Sequence, residues 1–352
     1  MAARILAGAC LGALLTVTAG ADEGVRTAWG DPDIEGLWDF RTLTPLQRPA
    51  ELGEKAVLTA AEAEAFRQQA IAARNNDQRS DENAAVDLEG SYNDFWFDWG
   101  SNVSGNLRTS LIVDPADGRL PPLTPEARAY LKAQNTADRQ PPVRDMFSYA
   151  AGVHEYRPSG PEALGLSERC LVGFNAGPPL TPSAYNNNLR IVQTPDHVLL
   201  VTEMIHNARV VPLDARPRMP QDITQWSGDA RGRWEGATLV VETTNFTDKT
   251  PTFQLPATLA DVAESGAVGS GAQTHLVERF TRTDEGLLYS YTLTDPQTFA
   301  APFTVEIPMT ATAGPMFEYA CHEGNYAIGG VLRGARLLEA EELAAVSGEA
   351  SE

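Results

Sequence analysis

The sequence reads as a mainly β protein: an antiparallel meander closing into a barrel-like or strongly curved sheet, with a mixed helix-and-loop N-terminal half wrapped around it. Three observations lead there. From about residue 188 the segments 189–193, 197–209, 237–246, 275–283, 287–294 and 303–309 are rich in Val, Ile, Thr, Tyr and Phe. Short turn sequences separate them, such as Thr194-Pro195-Asp196 and Asp284-Glu285-Gly286, which suits consecutive antiparallel neighbours. At least six strands in a meander most economically close up, because closure removes exposed sheet edges.

The N-terminal half carries different signals. Thr59-Ala60-Ala61-Glu62 is a capping box that opens an Ala-rich helix running to about Arg74. Thr124-Pro125-Glu126 places Thr as N-cap and Pro at the first helical position of a second helix, ending near Gln134. Residues 75–83 are polar and read as loop; the aromatic cluster Tyr92, Phe95, Trp96, Phe97 and Trp99 follows. That cluster either plugs one end of the core or lines a ligand groove, with Trp96 and Trp99 as the candidate contacts. Proline pairs at 121–122, 141–142 and 178–179 argue for extended segments over a core rather than a helical bundle.

Four regions result. Residues 1–21 read as an export signal, with Arg4, an apolar run from Ile5 to Val17 and the small residues Ala19-Gly20-Ala21. Residues 22–160 form the irregular region, 161–336 the β-rich region integrated with it, and 337–352 an acidic tail. No later run reaches the roughly 20 apolar residues of a membrane helix, so the expectation is a periplasmic or secreted protein without membrane insertion. Cys10 raises lipid anchoring, although its apolar run is short for a lipobox. Cys170 and Cys321, 151 positions apart, are then expected to pair in an oxidising compartment, with two buried thiols as the alternative. Closing so long a loop is worth roughly 4–5 kcal/mol in the chain-entropy model.

Composition narrows the partners. The 352 residues include 47 Asp and Glu against 27 Lys and Arg, a formal net charge of -20, which repels phosphate backbones and anionic lipid. With 43% hydrophobic residues the chain has a core and is not disordered as a whole. Nucleic acid is therefore excluded as the main partner, and a small molecule is expected. The chain has no Walker-type loop, H-E-x-x-H helix, EF-hand loop or G-x-S-x-G elbow, and its five His are dispersed. Neither a cofactor nor a metal centre is expected.

The polar clusters supply the candidate sites. Asn186-Asn187-Asn188 suits a turn, with Asn187 and Asn188 also candidate substrate contacts, as is Asn245. On a regular strand over 197–209, Glu203, Asn207 and Arg209 share one face, and His206 joins them only through a bulge. That group is either a core ion pair or a site. Residues 226–236 read as a tight strand connection stapled by Asp-Arg pairing. The stretch Tyr319-Ala320-Cys321-His322-Glu323 is densest in chemistry, because a disulfide would fix an imidazole and a carboxylate beside a phenol.

Residues 40–49 (FRTLTPLQRP), 108–115 (RTSLIVDP), 232–236 (GRWEG) with 243–246 (TTNF), and 319–326 (YACHEGNY) resemble a widespread uncharacterised family of exported bacterial proteins. The resemblance spans about residues 31–336 and implies one integrated unit. It brings no activity and no catalytic residues.

Two functions follow from the residues themselves. One is a cofactor-independent acid/base enzyme, a lyase, isomerase or hydrolase acting on a neutral bulky molecule such as a terpenoid, steroid, aromatic or sugar derivative. Its candidate acid/base groups are His322, Glu323, His206 and Glu203, with Arg209 and Tyr319 stabilising developing charge. The alternative is a periplasmic protein that binds such a molecule in the barrel without catalysis.

Overall fold

The computed structural model describes residues 25–74, 97–134, 157–255 and 266–349. The export signal, Cys10, the polar run at 75–83 and the aromatics Tyr92, Phe95 and Trp96 lie outside the described residues.

Ten strands form one antiparallel sheet. In chain order they are β1 (Gly36–Asp39), β2 (Ile112–Asp114), β3 (Asn188–Gln193), β4 (His197–Thr202), β5 (Ala208–Pro212), β6 (Asp229–Glu235), β7 (Thr238–Thr244), β10 (His275–Thr283), β11 (Gly286–Thr294) and β12 (Phe303–Ala311). A separate hairpin pairs β8 (Phe253–Leu255) with β9 (Gly266–Val268). The sheet order is β5-β4-β3-β1-β12-β11-β10-β7-β6, with β2 added on β12. Its two ends curl towards each other into a nearly closed barrel. Gly232 in β6 allows that approach, because a Cβ there would come within 2.8 Å of the Val211 and Leu213 side chains.

The expected helices form where the capping signals place them. Helix α1 (Ala60–Ala73) opens with Glu62 N–H donating to Thr59 Oγ1 at 3.3 Å and Thr59 N–H donating to Glu62 Oε2 at 2.8 Å. Helix α2 (Pro125–Gln134) starts with Thr124 Oγ1 accepting from Ala127 N–H. A third helix, α3 (Ala327–Glu349), continues through the stretch read from composition as an acidic tail. Its Ala335 is buried, and Arg336 donates to the carbonyls of Pro158 and Ser159.

Alternation along the strands fills the barrel. Leu276 and Phe280 of β10, Leu287, Tyr289, Tyr291 and Leu293 of β11, and Phe303, Val305, Ile307 and Met309 of β12 point inward with Leu189, Ile191, Val198 and Leu200 from the other half. Tyr291 packs edge to face on Phe303, as does Phe253 of the separate hairpin at 5.4 Å, while Tyr289 is tilted against Phe280 and Tyr291. These side chains give the barrel a packed interior. Only a few polar groups enter it.

The chief of these is a buried ion pair. Arg209 Nη1 and Nη2 donate to Glu278 Oε2 and Oε1 at 2.6 and 2.9 Å, a two-pronged contact. Tyr289 Oη donates to the same carboxylate at 2.8 Å and accepts from Leu180 N–H at 3.1 Å. Burial works against the Arg209 charge, yet Glu278 holds its pKa above the usual value; burial also drives the Tyr289 phenol well up, so it stays protonated.

Two strand expectations are corrected. Segment 197–209 is not one strand: Thr202 N–H donates to Asn207 O at 2.9 Å, and the chain reverses through Ile205 and His206 at φ 48° and 44°. Left-handed backbone at non-glycine residues costs on the order of 1 kcal/mol or more each. Packing holds it there, since Met204 and Ile205 are buried against Phe174, Tyr185, Tyr319 and Cys321. Segment 226–236 does contain the expected Asp229–Arg231 pair, but most of it is strand β6 rather than a connection.

Removing one member of the interior ion pair should be costly. Glu278→Leu leaves Arg209 buried without its counter-charge and should lower urea-denaturation stability by about 3–5 kcal/mol. The Arg209→Met/Glu278→Leu double variant should recover most of that loss. Equal losses in the single and double variants would overturn this account.

Candidate functional site

The disulfide Cys170–Cys321 is formed, with Cα atoms 5.9 Å apart, and it places residues 319–325 beside 165–170. Asn325 Nδ2 donates to Glu168 O at 3.1 Å across this junction. His206 joins it through Nδ1, 3.2 Å from Tyr319 O. Glu203 is buried and accepts from Asn188 Nδ2 at 2.6 Å and Phe317 N–H at 3.1 Å. His322 and Glu323 are exposed.

The six catalytic candidates, four acid/base groups and two charge stabilisers, therefore divide into three places. Glu203, His206 and Tyr319 brace the segment leading to the disulfide. Arg209 turns into the barrel. His322 and Glu323 sit at the surface and line neither of the two cavities described here. The disulfide fixes the backbone beside His322 and Glu323 and leaves both side chains exposed.

Asn187 and Asn245 hold backbone, whereas Asn188 serves the Glu203 carboxylate. Buried Asn187 donates to Asp98 O and Ser183 O and accepts from Ser183 N–H. Asn245, at φ 57°, donates to the carbonyls of Met219, Pro220 and Ile223. These bonds leave their amides serving loops. Trp99 is the one described candidate contact that lines a sizeable cavity.

That cavity is a cleft of about 770 Å³ on the outer side of the barrel. A second cavity, beside Trp226 and Pro178-Pro179, is only about 40 Å³, little more than room for water. Strand alternation turns Leu288, Glu306, Pro308 and Thr310 outward to form one wall of the larger cleft. Leu288 lies directly across from Pro308, and Thr310 across from Asp39 at the end of β1.

Proline in a central strand normally breaks a ladder. Here it falls where the ladder is already open. On the side of β12 away from β11, β2 pairs at Thr304 and Val305 and β1 pairs at Thr310 and Ala311. Pro308 lies between them, at the cleft.

The opposite wall is segment 97–106 together with the end of α1. Phe97 and Trp99 stack at 5.8 Å, and the Arg74 guanidinium lies 4.9 Å from the Trp99 ring centre. Burial lowers the Arg74 pKa. Gly100, at φ 79°, lets this segment lie on Arg41, because a Cβ there would stand 2.9 Å from Arg41 Cβ.

Arg41 ties the two walls together. Its Nε and Nη2 donate to Asp39 Oδ2 at 2.8 and 2.6 Å, and its Nη1 donates to Asp98. Hydrogen bonding to Asp39, and then to Asp98, outweighs partial burial and raises the Arg41 pKa. Among the described residues, the carboxylates of Asp284, Glu285 and Glu306 have no hydrogen-bond or ion-pair partner. Glu306 is half-buried in the β12 wall, while Asp284 and Glu285 stand at the rim on the β10–β11 turn.

A second constellation lies on the outer face of β7 and β10. Glu242 accepts from His275 Nε2 at 2.7 Å and pairs with Arg218 at 3.0 Å. This is an acid beside an imidazole, but neither residue lines the cleft. Among the described residues no group of three or more His, Cys, Asp or Glu converges closely enough to hold a metal ion, and no helix is long and apolar enough to cross a membrane. Comparison with protein-family models, curated proteins and solved structures finds no match.

The Glu242 cluster sets an acid-side stability limit. Its hydrogen bond from His275, helped by Arg218, lowers the carboxyl pKa below its ordinary 4.5. A depressed folded-state pKa contributes stability above the unfolded value, which is lost as pH falls through the folded one. The Tm difference between the native chain and Glu242→Gln should therefore be fully present near about pH 5.5, narrow below 4.5 and close at still lower pH. A difference independent of pH would show that the charge contributes nothing.

Proposed function

We propose that the protein is an exported binder of small molecules and that the cleft between the β11–β12 wall and the Phe97–Trp99 segment is its ligand site. The cleft itself carries this reading. Its volume matches that of small-molecule sites, and it combines apolar surface from Leu288, Pro308 and Trp99 with a few polar groups. Trp99 Nε1 is a buried donor with no hydrogen-bond partner among the described residues, which a bound acceptor would satisfy. The disulfide supports an oxidising compartment outside the cytoplasm.

The acid/base enzyme built on His322 and Glu323 has less support, because those side chains are exposed and away from the cleft. Binding is the function the geometry favours.

Thermal-shift screening of the full chain against a library of soluble metabolites tests it. Ligands of the cleft should raise Tm by an amount that grows with the logarithm of ligand concentration above Kd. Leu288→Arg, which fills the wall from the outer face, should abolish those shifts, and the His322→Ala/Glu323→Ala variant should keep them. Shifts that survive Leu288→Arg would sink the assignment. Turnover of a hit that is lost on His322→Ala would restore the enzyme.

A further inference from the structure

We infer that the cleft selects neutral saccharides, rigid rings that carry several uncharged hydroxyls. This rests on the cleft being the ligand site. Hydrogen-bond direction carries the inference: one wall holds a donor that lacks an acceptor, and the other holds an acceptor that lacks a donor.

The donor is on the 97–106 wall. Trp99 Nε1 is buried and has no acceptor among the described residues, and an indole N–H can only donate. Phe97 and the Arg74 guanidinium already lie against the Trp99 ring. Trp99 is therefore left to recognise a ligand through its N–H rather than by stacking. Asn106, whose Oδ1 accepts from Ser104 Oγ and Arg108 N–H, adds the Nδ2 amide as a donor on the same wall.

The acceptor is on the strand wall. Half-buried Glu306 receives no hydrogen bond or ion pair from the described residues, and an ionised carboxylate can only accept. At the rim, Glu285 reaches towards the donor wall, since a Cβ at Gly105 would lie 3.5 Å from its Oε2. The walls thus approach closely enough for one small ligand to meet both.

These two requirements select the ligand's chemistry. A carboxylate or phosphate ligand would face Glu306, Asp284 and Glu285 while Arg41 is already held by Asp39 and Asp98. An ammonium supplies donors only and leaves Trp99 Nε1 unpaired, which is costly for a buried group. A hydroxyl does both, with one hydrogen and two lone pairs, and its bond to a carboxylate is charge-assisted. The ligand then needs at least two hydroxyls, directed to opposite walls, on a frame whose apolar face covers the cross-strand pair Leu288 and Pro308. A pyranose has that form, with hydroxyls round its edge and C–H bonds on its faces.

Isothermal titration of the full chain with glucose, galactose and mannose, the uronate of each, and cyclohexylamine tests this, because all share a six-membered ring and differ in what they donate, accept and carry as charge. At least one hexose should bind about tenfold or more tightly than its uronate and than cyclohexylamine. Trp99→Phe, which keeps an aromatic ring and removes the donor, should weaken that hexose about fivefold, and Glu306→Leu at least about tenfold. Indifference to either change, or a uronate or cyclohexylamine that binds as tightly as the hexose, would overturn the saccharide selection and leave the cleft as the site. Failure of all three hexoses while screened ligands still depend on Leu288 would likewise overturn this inference alone. Loss of that Leu288 dependence would overturn the reading beneath it.

Discussion

Four residues, Gly36–Asp39, hydrogen-bond the two halves of the sheet to each other. On one side β1 pairs with β3 from Gly36 to Asp39, and on the other with β12 at Trp38 and Asp39. Without it the β3–β5 and β6–β12 groups would each carry an open edge against the core, with unpaired backbone amides and carbonyls. Trp38 adds a fully buried indole whose Nε1 donates to Ile34 O at 3.0 Å. The cleft inherits the same constraint: Asp39, the last residue of β1, grips Arg41 through its backbone N–H and its side chain. Sheet continuity and the position of one cleft wall are thus set by one short strand.

Inside the barrel the Arg209–Glu278–Tyr289 cluster joins β5, β10 and β11. These strands come from opposite halves of the sheet, so the contact spans the interior rather than a ladder. A buried ion pair rarely adds net stability over apolar packing. Its two-pronged geometry instead penalises any arrangement that separates β5 from β10, since each alternative would strand a charge in an apolar core.

Much of the β architecture was legible in the residues because period-two alternation and turn chemistry are local. The 275–283, 287–294 and 303–309 segments form strands β10, β11 and β12 on nearly those bounds, and both capping signals start helices. What escaped has non-local causes. Strand β1 is four residues long and includes Gly and Asp, so only its neighbours make it a strand. The reversal at Ile205 and His206 depends on Met204 and Ile205 packing against distant residues, against local preference. The cysteine pairing was readable from compartment and count, but the direction of His322 and Glu323 was not, because a disulfide fixes backbone position and says nothing of which side chains it covers. The cleft was least legible of all. Its walls come from β1, α1, segment 97–106 and β10–β12, and only Trp99 carried a signal strong enough to single it out; Glu306 was simply one polar position in an alternating strand.

Pro308 also bears on what can enter the open stretch of β12. An extended peptide seeking to lengthen the sheet there would find no amide hydrogen at 308, and β1 and β2 already occupy the pairing positions on either side. The opening thus rejects intruding polypeptide, including another copy's unpaired edge. A compact guest that makes no ladder meets no such objection, so the barrel can keep a permanent gap in its wall without templating aggregation.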